Sequence, residues 1–453
     1  MTSTSSSSES ASLEFRPMSK GLVVDGRHVA QAVGRQGLAP GSTRVRCRVA
    51  YCALVLGSLL APFRASADEK PKVRAVTAFI QLHRVTYQAQ VREALVFLRA
   101  AKRAFEQAGY EVQSVRISTQ PFPEYTRGLS QQEAVAFFRQ YENLAKTEGF
   151  DAAIGPALLA DADENQVQLL GEILTKTGAL NASVAVAGED GVRWSAVRAA
   201  ARLIRYLADN SPGGIANFNF AATALVPPGT PFFPGSYHVG PGKQFAVALQ
   251  SANVVAAALA QVRAAVEAEQ RLRAALEVHV CAVERVALKV ASETVWKYIG
   301  LDLSPAPLKE VSIGAALEGF TGARIGAGGT LTAAVLITRV LQSLPVRRAG
   351  YSGLMVPVLE DAVLAGRWSE GALTLDALLA YSAVCGTGLD TIPLPGDVTV
   401  EQLERIVGDM ASLAVKLRKP LSARLMPVPG KKAGDRTEFK DPFLVNAVIQ
   451  PLP

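Results

Sequence analysis

Apolar and polar positions alternate in a way that predicts strand, helix and strand in turn from residue 73 onwards. Residues 73–82 form an apolar run of strand length, and residues 87–108 set Val91, Leu95, Leu98 and Ala101 on one helical face. A strand over 110–117 follows. Ser130, with Glu133 three residues on, then makes a capping box that opens a helix to about 147. Residues 150–154 and 182–187 read as short buried strands, and 162–177 and 194–207 as helices. Such alternation predicts an α/β fold in which helices cover a sheet.

The pattern then breaks. Residues 213–238 hold a Gly-Gly pair and four prolines between Pro227 and Pro234, with Phe232, Phe233, Tyr237 and His238 among them. Neither a helix nor an inner strand tolerates that spacing, so a rigid, aromatic-bearing loop is expected, suited to a pocket wall. Residues 251–298 read as nearly fifty helical positions, in two helices or one bent one, without a sustained heptad. Asp302 opens a turn. Gly322, Gly326, Gly328, Gly329 and Thr330 precede a helix over 331–344, and a glycine-rich turn at a helix start offers amides to an anion. Residues 350–361 read as a buried strand ending at Glu360 and Asp361. Thr399 caps a helix to 417, and residues 419–435 read as a strand running into a loop with Lys431, Lys432 and Asp435.

Between these last elements lies the densest chemistry. Over residues 381–397 a helical pattern reaches Cys385, and Gly386, Gly388, Pro393 and Pro395 then predict a loop. It carries the Cys385 thiol, the Thr387 hydroxyl and the carboxylates Asp390 and Asp397.

The first 67 residues change the reading of charge and location. Arg44, Arg46 and Arg48 precede an apolar run over 49–60 and Ala65-Ser66-Ala67, the parts of a secretory signal peptide. Cleavage near Ala67 predicts an exported protein, with a cytoplasmic one as the alternative, no stable membrane insertion, and one domain over 68–453 behind a disordered leader. The formal charge of the 453 residues is +7, but the leader holds eight Lys/Arg against three Asp/Glu. The remainder carries 39 against 37, and it has no basic run with interleaved aromatics, so no nucleic-acid partner is expected. A hydrophobic share of 49% supports a large core. Cys281 and Cys385 remain after cleavage and are expected as free thiols.

The blocks "GGIANFNFAA", "PFFPGSYH", "DLSPAP", "GYSGLMVPVLED", "YSAVCGTGLDTIPLPGD" and "KPLSARLMPVPGKKAGD" together resemble an uncharacterised prokaryotic family, domain of unknown function 711. The resemblance implies a single closed ten-stranded α/β barrel of the pyruvate formate-lyase-like type, with outer helices and a central hairpin loop carrying Cys385. This chain lacks the Arg-Val-x-Gly-Tyr glycyl-radical motif, so the scaffold does not imply radical chemistry.

Three readings of function follow. In the first, Cys385 is a catalytic thiol with His238 as base, Asp390 as orienter and Arg424 or Lys431 as anion clamp. In the second, Gly328, Gly329, Thr330, Arg424, Lys431 and Asp435 hold a small polar or anionic ligand without catalysis. A third assigns Glu318, Glu360, Asp361 and Asp390 to a metal. The expected partner is a small molecule. The cofactor and self-association stay open.

Overall fold

The computed structural model describes residues 70–159 and 163–452; the expected leader, and the first residue of the helix expected from 162, lie outside them. Its strands are β1 (Lys72–Ile80), β2 (Val112–Thr119), β3 (Asp151–Ala157), β4 (Leu180–Gly188) and the two-residue β5 (Gly191–Val192). They continue with β6 (Phe220–Ala224), β7 (Gln244–Gln250), β8 (Lys297–Asp302), β9 (Gly388–Pro395) and β10 (Leu421–Val428). All ten belong to one sheet, ordered β8-β7-β1-β2-β3-β4-β6-β10-β9 with β5 paired to β4.

The sheet consists of two oppositely directed sets. Strands β1, β2, β3, β4 and β6 run parallel to one another, as β7 does to β8 and β9 to β10. Antiparallel seams join the sets at β1–β7 and β6–β10. Irregular chain touches both outer strands: Leu301 of β8 bridges Arg348, and Asp390 of β9 bridges Pro357.

Parallel neighbours need crossovers, which the helices supply. These are α1 (Tyr87–Gln107), α2 (Phe122–Thr126), α3 (Gln131–Glu148), α4 (Asn165–Lys176) and α5 (Trp194–Asp209) within the first set. The later chain adds α6 (Ala252–Leu259), α7 (Ala265–Ser292), α8 (Ile313–Thr321), α9 (Thr330–Gln342), α10 (Ala362–Ser369), α11 (Leu375–Ser382) and α12 (Val400–Leu417). No described helix is long and apolar enough to cross a membrane. The main core lies between helices and sheet and includes Leu95, Leu98, Phe105, Ile117, Phe138 and Trp368. A smaller apolar cluster of Ala75, Val226, Phe232, Ala248, Ala306, Tyr351 and Met355 is separate from it.

The capping box at α3 is complete: Ser130 Oγ accepts from the Glu133 amide at 3.3 Å, and the Ser130 amide donates to Glu133 at 2.8 Å. Ser130→Ala should cost about 1 kcal/mol in urea unfolding, and a change below a few tenths would show that the cap is idle.

Three expectations are corrected. Residues 381–397 do not stay a loop, because 388–395 become β9, buried along its whole length. Its prolines are tolerated since the ladder runs to β10 alone, while the other side meets the single Pro357 bridge. Residues 350–361 form no strand. Positive φ at Gly350 and Ser352 breaks the extended path, and Val358–Glu360 closes into a short 3-10 turn. The helical reading of 251–298 resolves into α6 and α7 and ends at Ser292. Trp296 instead stacks on Phe97 at 4.3 Å between ring centroids, and β8 begins at Lys297.

Candidate functional site

A cavity of about 550 Å³ draws residues from both strand sets. Side chains two apart on a strand share a face, which brings Ser114 and Arg116 of β2 into the cavity wall, and likewise Ser422 and Arg424 of β10. Arg74 comes from β1, Asp151 from the start of β3 and Asp390 from β9. Glu360 reaches it from the 3-10 turn and Thr387 from the residue before β9. Phe232, Phe233, Pro234 and Gly235 of the proline-rich loop form part of the wall. That loop is anchored through the Pro231 carbonyl, which accepts from Arg116 Nη1 at 3.3 Å and Thr77 Oγ1 at 3.4 Å.

Arg424 ties two acids together. Its Nε donates to Asp390 Oδ1 at 2.7 Å, its Nη2 donates to Glu360 Oε1, and its plane lies 4.9 Å from the Phe218 ring centre. All three charged groups are under 10% exposed. Burial alone would lower the Arg424 pKa, but Asp390 and then Glu360 reverse that and hold it above its usual range. Glu360 is raised, chiefly by burial, with Arg424 working against it.

The other two arginines are less well compensated. Arg116 donates from Nε to Ser114 Oγ at 3.1 Å and to Asp151 Oδ2 at 3.3 Å, but that carboxylate is half exposed. Burial and then the neighbouring Arg74 push Arg116 down to about 10, so it stays charged at neutral pH. Arg74 is also lowered, mainly by burial. It donates to Gln113 Oε1 at 3.4 Å and lies over the Phe443 ring at 5.4 Å, and among the described residues it has no ion-pair partner. Thr387 is only 2% exposed and its hydroxyl has no hydrogen-bond partner. Buried polar groups are rarely left so.

Asp302 shapes the wall from behind. Its carboxylate accepts from the amides of Tyr351 at 2.8 Å, Ser352 at 3.0 Å and Ser304 at 3.0 Å, and from Ser304 Oγ at 2.7 Å. This fixes the backbone that presents Tyr351 to the cavity.

Of the residues singled out in the sequence, Asp390 and Arg424 meet here. Cys385 does not line the cavity: it is 2% exposed, joins the helix-side core, and its amide donates to Tyr381 O at 2.7 Å. His238 is buried outside the lining, with its amide on Thr119 O at 2.9 Å and Nε2 unpartnered; burial lowers its pKa. Gly328, Gly329 and Thr330 form the turn into α9, where Thr330 Oγ1 donates to Ala327 O at 2.9 Å and accepts from the Gly326 amide at 3.2 Å. Lys431 pairs with Glu438 at 3.0 Å, and Asp435 accepts from the Lys432 amide at 2.7 Å.

Of the four carboxylates of the metal reading, Glu360 and Asp390 share Arg424, while the other two have partners elsewhere. Asp361 caps α10 and accepts from Ser312 Oγ and the Ile313 amide. Glu318 is gripped by Arg367 through Nε at 2.6 Å and Nη2 at 2.9 Å. Among the described residues no His, Cys, Asp and Glu side chains are grouped as a metal ion requires.

The Glu318 pair gives a pH test. Arg367 depresses the Glu318 pKa, so its stabilisation is present above the ordinary carboxylate range and is lost as pH falls through the lowered value. The melting temperature of wild type should exceed that of Glu318→Gln at pH 7, and the gap should close on acidification. A gap independent of pH would assign the difference to shape rather than charge.

Arg74 and Arg116 are the charged cavity residues on the inner strands that the motif reading did not single out. Their signal was an arginine inside an otherwise largely apolar strand, as in KVRAVTAFI and VQSVRIST.

The family model described as Uncharacterised ACR (DUF711) matches residues 66–440. A UPF0210 protein of Pyrobaculum arsenaticum is 33% identical over 358 residues, covering 74% of this chain and 78% of the relative. One of Pyrobaculum aerophilum is 33% identical over 395 residues, 80% of this chain and 86% of its own. One of Listeria monocytogenes is 26% identical over 413 residues, 84% and 91% respectively.

Proposed function

Because the chain belongs to the uncharacterised family DUF711, whose description carries no activity, we propose a function from the cavity itself: it binds a small molecule through an acidic group, carboxylate or phosphate. The observation that carries this is that Arg116, buried, and Arg74, half-buried, stand in one cavity wall, where Arg74 lowers the Arg116 pKa and the ion-pair partner of Arg116 is the half-exposed Asp151. Burying like charges is costly unless an opposite charge completes them. Guanidinium groups also suit planar, two-pronged recognition of carboxylate and phosphate. Aromatic rings at Phe232, Phe233 and Tyr351 would cover the apolar part of the molecule.

A catalytic reading of the same cavity is favoured by Glu360. Its raised pKa beside the Arg424 guanidinium suits a general acid or base better than an ordinary surface carboxylate does. The bridges of residues 348 and 357 to the two outer strands likewise support the closed barrel implied by the family resemblance.

Thermal-shift measurements against inorganic phosphate and a panel of small mono- and dicarboxylates test the binding reading. At least one should raise the melting temperature of wild type, and Arg116→Gln should weaken that ligand tenfold or more while leaving the melting temperature of the empty protein within a few degrees. Cys385→Ala, outside the cavity lining, should keep the affinity. Loss of binding in Cys385→Ala with binding kept in Arg116→Gln would overturn the assignment.

A further inference from the structure

We infer that the molecule held in this cavity also carries an ammonium group, so that its class is an amino acid or a closely related small zwitterion. This rests on the acidic-group reading above and extends it to the opposite end of the ligand.

The first ground is the set of acceptors left over once the arginines are satisfied. Arg424 occupies one oxygen of Glu360 and one of Asp390, and among the described residues no side chain or amide donates to Glu360 Oε2 or Asp390 Oδ2. Both carboxyls line the cavity, and beside them the Thr387 hydroxyl lies buried and unpartnered. Two carboxylate oxygens and one hydroxyl oxygen can together accept all three hydrogens of an ammonium group. A hydroxyl or a water molecule brings at most two.

The second ground is charge. The lining holds the guanidiniums of Arg74, Arg116 and Arg424, against the carboxyls of Glu360, Asp390, Asp441 and the half-exposed Asp151. These charges are uneven in place, with the less compensated cations on β1 and β2 and two acids sharing one guanidinium beside β9 and β10. A simple dianion would satisfy the first group and worsen the second. A zwitterion satisfies both and leaves the total charge of the cavity unchanged. A site built to accept N–H hydrogen bonds discriminates strongly against an analogue without them, because its own acceptors are then left buried and bare.

Isothermal titration with matched pairs that differ only in the amino group decides the matter: glutamate against glutarate, alanine against propionate, and 5-aminovalerate against valerate. In at least one pair the amino member should bind ten times more tightly or better. Glu360→Gln should erase that preference while the plain acid keeps its affinity. Asp390→Asn should act in the same direction, which guards against misfolding of either variant, and both are checked by their unfolding transitions. Equal binding of amino and plain acids, with both weakened by Arg116→Gln, would overturn the ammonium site and leave the acidic-group site standing. Failure of every member of the panel to bind wild type would overturn both.

Discussion

Arg424→Met should destabilise the protein by about 3–5 kcal/mol, the largest loss expected from any single change in the cavity, because it strands two buried carboxylates at once. Glu360 and Asp390 are each under 10% exposed and both lean on the same guanidinium. With the cation gone, each must either take up a proton or face the other's charge across a site with little water. The urea midpoint should fall steeply at pH 7 and recover in part on acidification, since protonating the two acids removes the repulsion. Adding Glu360→Gln and Asp390→Asn to Arg424→Met should restore most of the loss, because the remaining groups are neutral and of similar size. If the single variant unfolds within about 1 kcal/mol of wild type, the trio is not the electrostatic keystone argued above.

Gly386→Ala should be nearly as damaging, for a purely steric reason. A Cβ there would lie 2.7 Å from both Cα and the carbonyl carbon of Gly353, and a Cβ on Gly353 would meet Gly386 at the same distance. The obstructing atoms are backbone, so no rotamer change relieves them. The Gly386 amide also donates to Leu354 O at 2.6 Å, which pins the two segments together. A cost of about 3 kcal/mol or more is expected, at the upper end of what overpacking produces. Gly366→Ala is the control. It lies in α10 with nothing within 4 Å of the added carbon, and should be neutral or stabilising by up to about 1 kcal/mol. Equal effects from the two substitutions would remove the steric account.

These two glycines show what the sequence could and could not reveal. The breakers around Cys385 were legible as a special place, and the loop reading followed from their composition. Their actual use is close approach of one backbone to another, a property of residues far apart in the chain. Strands β1 to β4 and the longer helices α1, α3 and α4 between them were readable because apolar runs, helical faces and caps are local signals, whereas the short α2 was not foreseen. Strand β6 (FAATA) has too little side-chain contrast to announce itself, and β7 follows directly on a Pro/Gly segment.

The site divides in the same way. Asp390 and Arg424 fell within motif-rich blocks and were singled out, whereas Arg74 and Arg116 hid in runs that read as ordinary buried strand. Their meeting is a property of the assembled sheet, in which β1, β2, β9 and β10 contribute to one cavity although they lie near opposite ends of the described chain. His238 and the Gly328–Thr330 turn drew attention for their chemistry, yet the Thr330 hydroxyl is engaged within that turn, on Ala327 and Gly326.

The arrangement in two oppositely directed sets has a consequence for how the protein is made. A ribosome releases β1 through β6 first, so Arg74 and Arg116 exist for a time with none of the acids of β9 or the 3-10 turn yet synthesised. Only the final strand, β10, seats against β6 and brings Arg424 to Asp390 and Glu360. The cavity is therefore a property of the finished chain, and no N-terminal fragment can inherit it. Until β10 arrives, β6 is the bare rim of the growing sheet, where another nascent chain could attach. At five residues it is among the shortest strands of the sheet, which leaves little length for such a mistaken pairing to grip.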